Sequence, residues 1–396
     1  MVPVTARVAE LRRLGWPLLC VISFFSFASW IGLYGQGADS QSKSTQSETQ
    51  PSAEIISSAG SYTLVWRQHY QRQNGLVPIG IADDSGTLWL ITHAGPGKPE
   101  ESLTRINPDG RLIGNYQPVL PLNPIEWVAS LAPAAGERSV GLLASIASGG
   151  RDQTFEGAFF VPVGADGLGS PVRIAGRGPQ FPTMIGAGVD FIAAGDQEPL
   201  TLVKLESSGK VLWRRAFSPK LVLPTLSIGS SGSVFVLSQE GNDIRLQMLD
   251  SSGLLLRSKR IAAKQGVIVA DPGGGCSVLF SIGIGGKDNK VFLMTLDPEL
   301  RQLSRVQTPL VAWTGRTYQL ISTPNGHLII GPGPEPNPQK VVPKKILAEF
   351  DRSGTLVWQQ SIASLETPLL APFHSGFYLV RELFEGKGMD IEKYAY

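Results

Sequence analysis

The sequence predicts an all-β protein, a seven-bladed β-propeller of four-stranded blades. Three observations predict it. The first is a strand–turn–strand unit that recurs as Leu200–Arg215 (LTLVKLESSGKVLWRR), Asp243–Arg257 (DIRLQMLDSSGLLLR) and Leu347–Ser361 (LAEFDRSGTLVWQQS). Each unit is an alternating run, a polar turn ending in Gly and a second run, and recurrence at a regular period signals a repeat architecture. The second is a small-residue–Gly turn between two apolar runs, at Gly86, Gly136, Gly188, Gly232, Gly275, Gly326 and Gly376. The third is the lack of helical periodicity after Ser61, where short runs of Val, Leu, Ile, Phe and Trp alternate with Gly, Pro, Asn and Asp. The stretch Ser61–Tyr396 divides into seven units of 48 residues, the length of a propeller blade.

The chain ahead of the repeats reads differently. Residues 1–13 carry Arg7, Arg12 and Arg13 and are expected to stay in the cytoplasm. Residues 14–34 (LGWPLLCVISFFSFASWIGLY) hold no charge and are long enough to span a bilayer, so they are expected to form a transmembrane signal-anchor helix. The run is long for a cleavable signal. Gly35-Gln36-Gly37 is nevertheless a small-residue site at which cleavage would leave a secreted or periplasmic protein. Residues 35–60 are rich in Ser, Gln, Thr and Gly and read as a flexible linker. The propeller, residues 61–396, is then expected on the extracytoplasmic side of the inner membrane. Cys20 lies in the apolar run, which leaves Cys276 without a disulfide partner in the exported part.

Within each unit four strands, A to D, can be placed. In the fourth unit they are Val222–Ile228, Ser233–Ser238, Ile244–Leu249 and Leu254–Ile261. The C–D turns carry Gly110, Gly167, Gly209, Gly253 and Gly354, where a tight hairpin needs a positive φ. The fifth unit has Pro298-Glu299-Leu300 instead, which predicts a longer or irregular turn. The last unit supplies only A, B and C (Pro368–Pro372, Phe377–Arg381, Asp390–Tyr396). The segment Tyr62–Tyr70 (YTLVWRQHY) resembles a D strand, so it is expected to join the last blade, close the ring and cover an open edge.

These Trp-ended units, Leu200–Trp213 and Leu347–Trp358 above all, resemble the repeats of quinoprotein-type, BamB-like bacterial β-propellers. The resemblance implies the fold and carries no functional residue over. This chain departs from that pattern in the spacing of Asp351 and Gly354, in its seven rather than eight units, and in a D-strand Trp at Trp66, Trp213 and Trp358 only.

The chemistry-bearing residues do not cluster. His69, His93, His327 and His374 form no HxH, HxxxH or HExxH pair, whereas a zinc site needs three or four converging ligands. The A strands expected to line the channel carry almost nothing ionisable, which argues against a buried acid–base pair or a quinone cofactor there. Gly283–Asn289 (GIGGKDN) precedes a strand, not the helix a phosphate loop requires. Ser207–Lys210 lies in a turn, and Asp83 and Asp84 are adjacent strand-turn residues pointing to opposite faces. No metal, no cofactor and no catalytic residue is therefore assigned. A net charge of +2 without a basic cluster gives no sign of nucleic acid.

The irregular sequence lies in the B–C connections Thr92–Glu101, Ser148–Phe155, Gly283–Asn289 and Gly331–Lys345, the last with five prolines. These carry Lys98, Glu100, Arg151, Asp152, Lys287, Asp288, Lys344 and Lys345, read as exposed charges of a partner-binding face. The reading is a membrane-tethered, exported propeller acting as a protein-binding or scaffolding module, with an envelope protein as partner. Two alternatives stand beside it. One is a propeller enzyme (a quinone-dependent oxidoreductase or a hydrolase/lyase) with a loop-built site, and the other a carbohydrate- or peptidoglycan-binding module.

Overall fold

The computed structural model describes residues 58–396 apart from 60–61, 71–78, 84, 94–100, 124–125, 137–138, 149–153, 165–166, 178–180, 182, 196–199, 218–221, 284–288, 313–317, 335–343, 365–366 and 384–387. Contacts divide the chain into Met1–Ile55 and Ile56–Tyr396. The expected signal-anchor and most of the linker lie outside the described residues. Among the described residues no helix is long and apolar enough to cross a membrane.

Among the described residues thirty strands form seven antiparallel sheets. Each sheet is a blade that begins with an inner strand: Ile79–Ala82, Glu126–Ala135, Thr183–Ala187, Val222–Ile228, Gln265–Ala270, Gln319–Ser322 and Leu369–Phe373 for blades 1 to 7. Each inner strand touches the next, and that of blade 7 touches that of blade 1, so the ring is closed. The fourth blade matches its expected boundaries to within two residues, as Val222–Ile228, Val234–Glu240, Asp243–Leu249 and Leu255–Ile261.

The blades stack through apolar seams because strand side chains alternate between the two faces of a sheet. Between blades 4 and 5, Phe235, Leu246 and Ile261 pack with Ile268, Val278 and Phe280. A second regularity sits at the rim. The outer strand of one blade rests on the C–D turn of the next. A Cβ on Gly253 of blade 4 would lie 3.0 Å from the Trp213 ring of blade 3, and one on Gly354 of blade 6 would lie 3.2 Å from Val306 of blade 5. The Lys259 ammonium of blade 4 donates to the Leu300 carbonyl of blade 5 at 2.9 Å.

The C–D turns of blades 1, 3, 4, 5 and 6 share one geometry. In blade 4, Asp250 N–H donates to the Leu254 carbonyl at 2.9 Å and Gly253 N–H to the Asp250 carbonyl at 3.0 Å, with Gly253 at φ 81°. The Asp250 carboxylate accepts from Ser252 N–H and Leu254 N–H, both at 2.9 Å, and Asp351 and Asn107 hold their turns in the same way. The expectation of a longer turn in blade 5 is corrected. Asp297 N–H donates to the Arg301 carbonyl at 3.0 Å and Leu300 N–H to Asp297 at 2.9 Å, the same five-residue turn. Leu300 takes the left-handed position at φ 59°. That conformation costs a non-Gly residue on the order of 1 kcal/mol, and Leu300 offsets it by burying its side chain in the blade 4–5 seam.

The A–B turns are also less uniform than their glycines suggest. In blade 5 the positive φ belongs to Gly274, not Gly275. Gly275 is required for space, since a Cβ there would lie 2.1 Å from the Leu296 carbonyl oxygen.

Blade 7 has a different origin. Its sheet runs Leu369–Phe373, Gly376–Glu382, Met389–Ala395, then Tyr62–Tyr70, then Ser58–Ala59. Thr63 pairs with Ala395 and Tyr70 with Met389, with a register shift between Leu64 and Trp66. That shift moves the strand's apolar residues from one seam to the other. Tyr62 packs against blade 6, and Trp66 against blade 1.

Candidate protein-binding face

A propeller has two faces. One holds the A–B and C–D turns, which here are tight and closed by backbone hydrogen bonds. The other holds the B–C and D–A connections, whose lengths differ between blades. In blade 4 the B–C connection is Gly241-Asn242, between paired Glu240 and Asp243. In blade 6 it runs from Pro332 to Lys344.

The bases of the long connections are firmly held. In blade 2, Ser148 Oγ donates to Glu156 Oε1 at 2.5 Å, and Arg173 donates to the Glu156 carbonyl at 2.7 Å. Between blades 5 and 6, Gln265 Nε2 donates to Tyr318 Oη at 2.5 Å. Burial pushes the Tyr318 phenol pKa up, so it stays protonated at neutral pH. In blade 6, Gly333 N–H donates to the Lys344 carbonyl at 2.9 Å, which closes the base of the proline-rich connection.

Lys98, Glu100, Arg151, Asp152, Lys287 and Asp288 lie outside the described residues. Lys344 is exposed at the start of a strand. Lys345 corrects the expectation of exposed charge, because it is fully buried. The strand begins at Lys344, so Lys345 is already inside the ladder, paired with Pro332 and Ile362. It alternates with Leu347 and Glu349 on the face turned to blade 7, where Leu347 packs. It is a residue of that seam and not of a loop surface.

At the mouth of the channel a cavity of about 240 Å³ is lined by Gly80, Ile81, Ala134, Met184, Ile185 and Leu370, among others, with no ionisable side chain. A second cleft, about 210 Å³, opens on the turn face between blades 5 and 6. Its polar lining includes Asp297, Arg352 and Asp271, and the Asp271 carboxylate accepts from Ser277 Oγ at 2.8 Å and lies 2.8 Å from His327 Nε2. The sequence did not single out this pair, because the two residues stand 56 positions apart and meet only through blade stacking. The Cys276 thiol nearby is buried, and desolvation raises its pKa, which makes it a poor nucleophile. Among the described residues no three His, Cys, Asp or Glu side chains gather closely enough to hold a metal ion.

No family model and no curated protein sequence matches the chain. Several solved structures are similar in fold. The β-propeller domain of Cps50 (Swd1) from Myceliophteria thermophila superposes with TM-score 0.53 at 10% identity, covering 85% of this chain and 99% of that one. Virginiamycin B lyase from Staphylococcus aureus does so with TM-score 0.52 at 14% identity, covering 84% and 99%. BamB from Moraxella catarrhalis, at 11% identity and covering 85% and 100%, reaches 0.46, too loose to carry an argument. The likeness is one of fold. The resemblance read from the Trp-ended repeats is met at that level, with no sequence family behind it.

Proposed function

We propose that this chain is a membrane-tethered, exported propeller that holds a protein partner on its loop face, as a binding or scaffolding module of the cell envelope. The observation that carries the reading is the inequality of the two faces. Tight, hydrogen-bonded turns leave little to vary on one side, and long connections rise from rigid bases on the other. A rigid ring that presents variable loops suits recognition. The uncharged run 14–34 behind Arg7, Arg12 and Arg13 supports the tether, and the linker 35–60 gives the ring reach. The strand Tyr62–Tyr70, laid against Met389–Ala395, is the latch that holds the ring shut in this reading.

The test is a crosslinked pull-down from native membranes with the full chain. Residues 334–343 are replaced by Asn-Gly, which joins the Gly333 and Lys344 base by a two-residue turn. Thermal stability should change by less than about 1 kcal/mol, and partner recovery should fall. Unchanged recovery, with Lys98, Arg151 and Lys287 also changed to Glu, would remove the loop face as the site. N-terminal sequencing of the mature protein checks the tether separately. A chain that starts near Ala38 has been cleaved.

A further inference from the structure

The outer strands of the blades differ in charge around the ring. Those of blades 3, 4 and 5 are Val211–Phe217, Leu255–Ile261 and Gln302–Val311. They carry Arg214, Arg215, Arg257, Lys259, Arg260 and Arg305 and no carboxylate. The outer strands of blade 6 (Leu356–Ala363) and blade 1 (Leu112–Tyr116) carry no charge at all. In blade 7, Arg67 is spent on the buried Glu392 at 2.7 Å. In blade 2 the outer strand Val172–Ala175 carries Arg173 alone, which donates to the Glu156 carbonyl at 2.7 Å. The basic residues are thus concentrated on three consecutive blades.

Most of that charge is not neutralised locally. Arg214 donates to the Ile174 carbonyl at 2.6 Å and Lys259 to the Leu300 carbonyl at 2.9 Å, both backbone groups. Arg305 stands over the Phe292 ring at 4.5 Å. Arg260 does meet Asp243 at 3.8 Å and the largely buried Glu240 at 3.2 Å, a carboxylate already held by Arg245 at 2.8 Å, and Arg257 meets Glu299 at 3.9 Å in an exposed contact that contributes little. Beside these charges lie aliphatic residues open to solvent. Leu254, Leu255 and Leu256 are 63%, 44% and 44% exposed, and Leu303 is 67% exposed. An exposed aliphatic strand edge is a template for another strand. The fold already uses such an edge once: Ser58–Ala59 adds a fifth strand outside Tyr62–Tyr70 in blade 7. Among the described residues nothing pairs with the outer edge of blade 4.

We infer that the outer wall of blades 3 to 5 docks an extended, acidic protein segment, whose backbone pairs with the open edge of Leu255–Ile261. Its carboxylates meet Arg257, Lys259 and the arginines of the adjacent blades. Its aliphatic residues cover Leu254–Leu256 and Leu303. The aliphatic patch decides for a peptide over a simple polyanion, which would leave those leucines wet. Backbone pairing gives affinity in this mode, and the side chains give specificity. The wall lies on the circumference, apart from the loop face, and stands whether or not that face binds a partner.

The probe is a fluorescein-labelled octapeptide alternating Glu or Asp with Leu or Val, titrated by fluorescence anisotropy into the full chain in neutral detergent. Binding is expected, and it should weaken at least tenfold in the Arg257→Glu/Lys259→Glu variant. It should weaken similarly between roughly 50 and 500 mM salt, where screening shortens the reach of charge. Gln359→Glu/Gln360→Glu in blade 6 should leave it unchanged. The Leu255→Ser/Leu256→Ser variant, which keeps every charge, should also bind weakly. In wild type, the amides of Leu255–Ile261 should gain hydrogen-exchange protection on binding, a readout that survives if a variant misfolds. Equal binding of polyglutamate would overturn the inference by reducing the site to charge. So would no binding, binding indifferent to the blade 4 changes, or self-association through this edge that the same changes abolish.

Discussion

The seam between blades 4 and 5 and the seam between blades 6 and 7 solve the same packing problem with different chemistry. At the first, the outer strand of each blade follows its neighbour through a five-residue hairpin, so proximity is given by the chain and the seam is apolar. At the second, the outer strand of blade 7 comes from the other end of the described chain, and buried polar groups meet it. Tyr62 Oη donates to Glu349 Oε1 at 2.5 Å, and Trp358 Nε1 to Glu349 Oε2 at 2.5 Å. Arg67 and Arg381 both reach the fully buried Glu392, at 2.7 and 2.9 Å, while Tyr394 Oη donates to its other oxygen at 2.6 Å. Apolar contact accepts many registers, and a buried charge accepts few. The difference teaches that this fold uses costly polar groups where register is not set by a turn.

The largest expected effect breaks the closing blade outright. Deleting Asp390–Tyr396 removes the strand that pairs with Tyr62–Tyr70. The loss should be several kcal/mol, on the scale of a whole domain's stability, and a denaturant or thermal melt reads it. A truncated chain that melts at the wild-type temperature ends the closure argument.

Glu392→Ala should come next. It takes the shared carboxylate from Arg67 and Arg381, although Arg381 keeps Asp390 at 3.1 Å, and breaking a buried pair costs about 3–5 kcal/mol. The matched change at the other seam is Leu246→Val, which trims an apolar contact for about 1 kcal/mol. If the two cost the same in urea melts, the distinction between the seams fails. Tyr62→Phe sharpens the comparison further. It leaves Glu349 buried with one donor fewer and should cost about 1–3 kcal/mol.

Leu300→Gly tests the hairpin side. The substitution relieves the left-handed strain, worth about 1 kcal/mol, but it removes a buried Leu side chain, worth about 1.5–3 kcal/mol. A small net loss is expected, and a net gain would show that strain dominates at that turn.

The smallest effect is a pH dependence. Hydrogen bonds from Ser353 and the turn amides hold the Asp351 carboxyl below the usual carboxylate range, and those from Ser252 do the same for Asp250. A lowered folded pKa contributes stability that is present above the unfolded value, near about 3.9, and is lost as pH falls through the folded one. Asp351→Asn keeps the acceptor, as Asn107 does in blade 1. It lacks the charged form's contribution, so the neutral-pH melting temperature should fall slightly and its further fall in acid should flatten.

Much of the ring was legible because its hairpins are local. The Gly at the C–D turns of blades 1, 3, 4 and 6, the four strands of blade 4 and the nearly uncharged inner strands follow from residues within a few positions of one another. The errors lie where the cause is distant in sequence. Leu300 reads as a broken turn until the blade 4 core that buries it is known. Lys345 reads as a loop charge until the ladder with Pro332 and Ile362 and the neighbouring blade are in view. The outer-wall asymmetry was present in the sequence as Arg and Lys counts per D strand. It became a surface only once three blades stood side by side.

The contact between each outer strand and the following blade's turn gives the ring a sense of succession. A blade of the hairpin type carries both halves of the joint, a turn on which its predecessor rests and a strand that rests on its successor. A coding unit copied in tandem within blades 3 to 5 would therefore bring its own fittings and meet Trp213 or Lys259 on familiar terms. The same copy set between blades 6 and 7 would face Tyr62 and Glu349, to which it has nothing to offer. Growth by duplication thus has an admissible arc on this ring, and the polar seam marks where it ends.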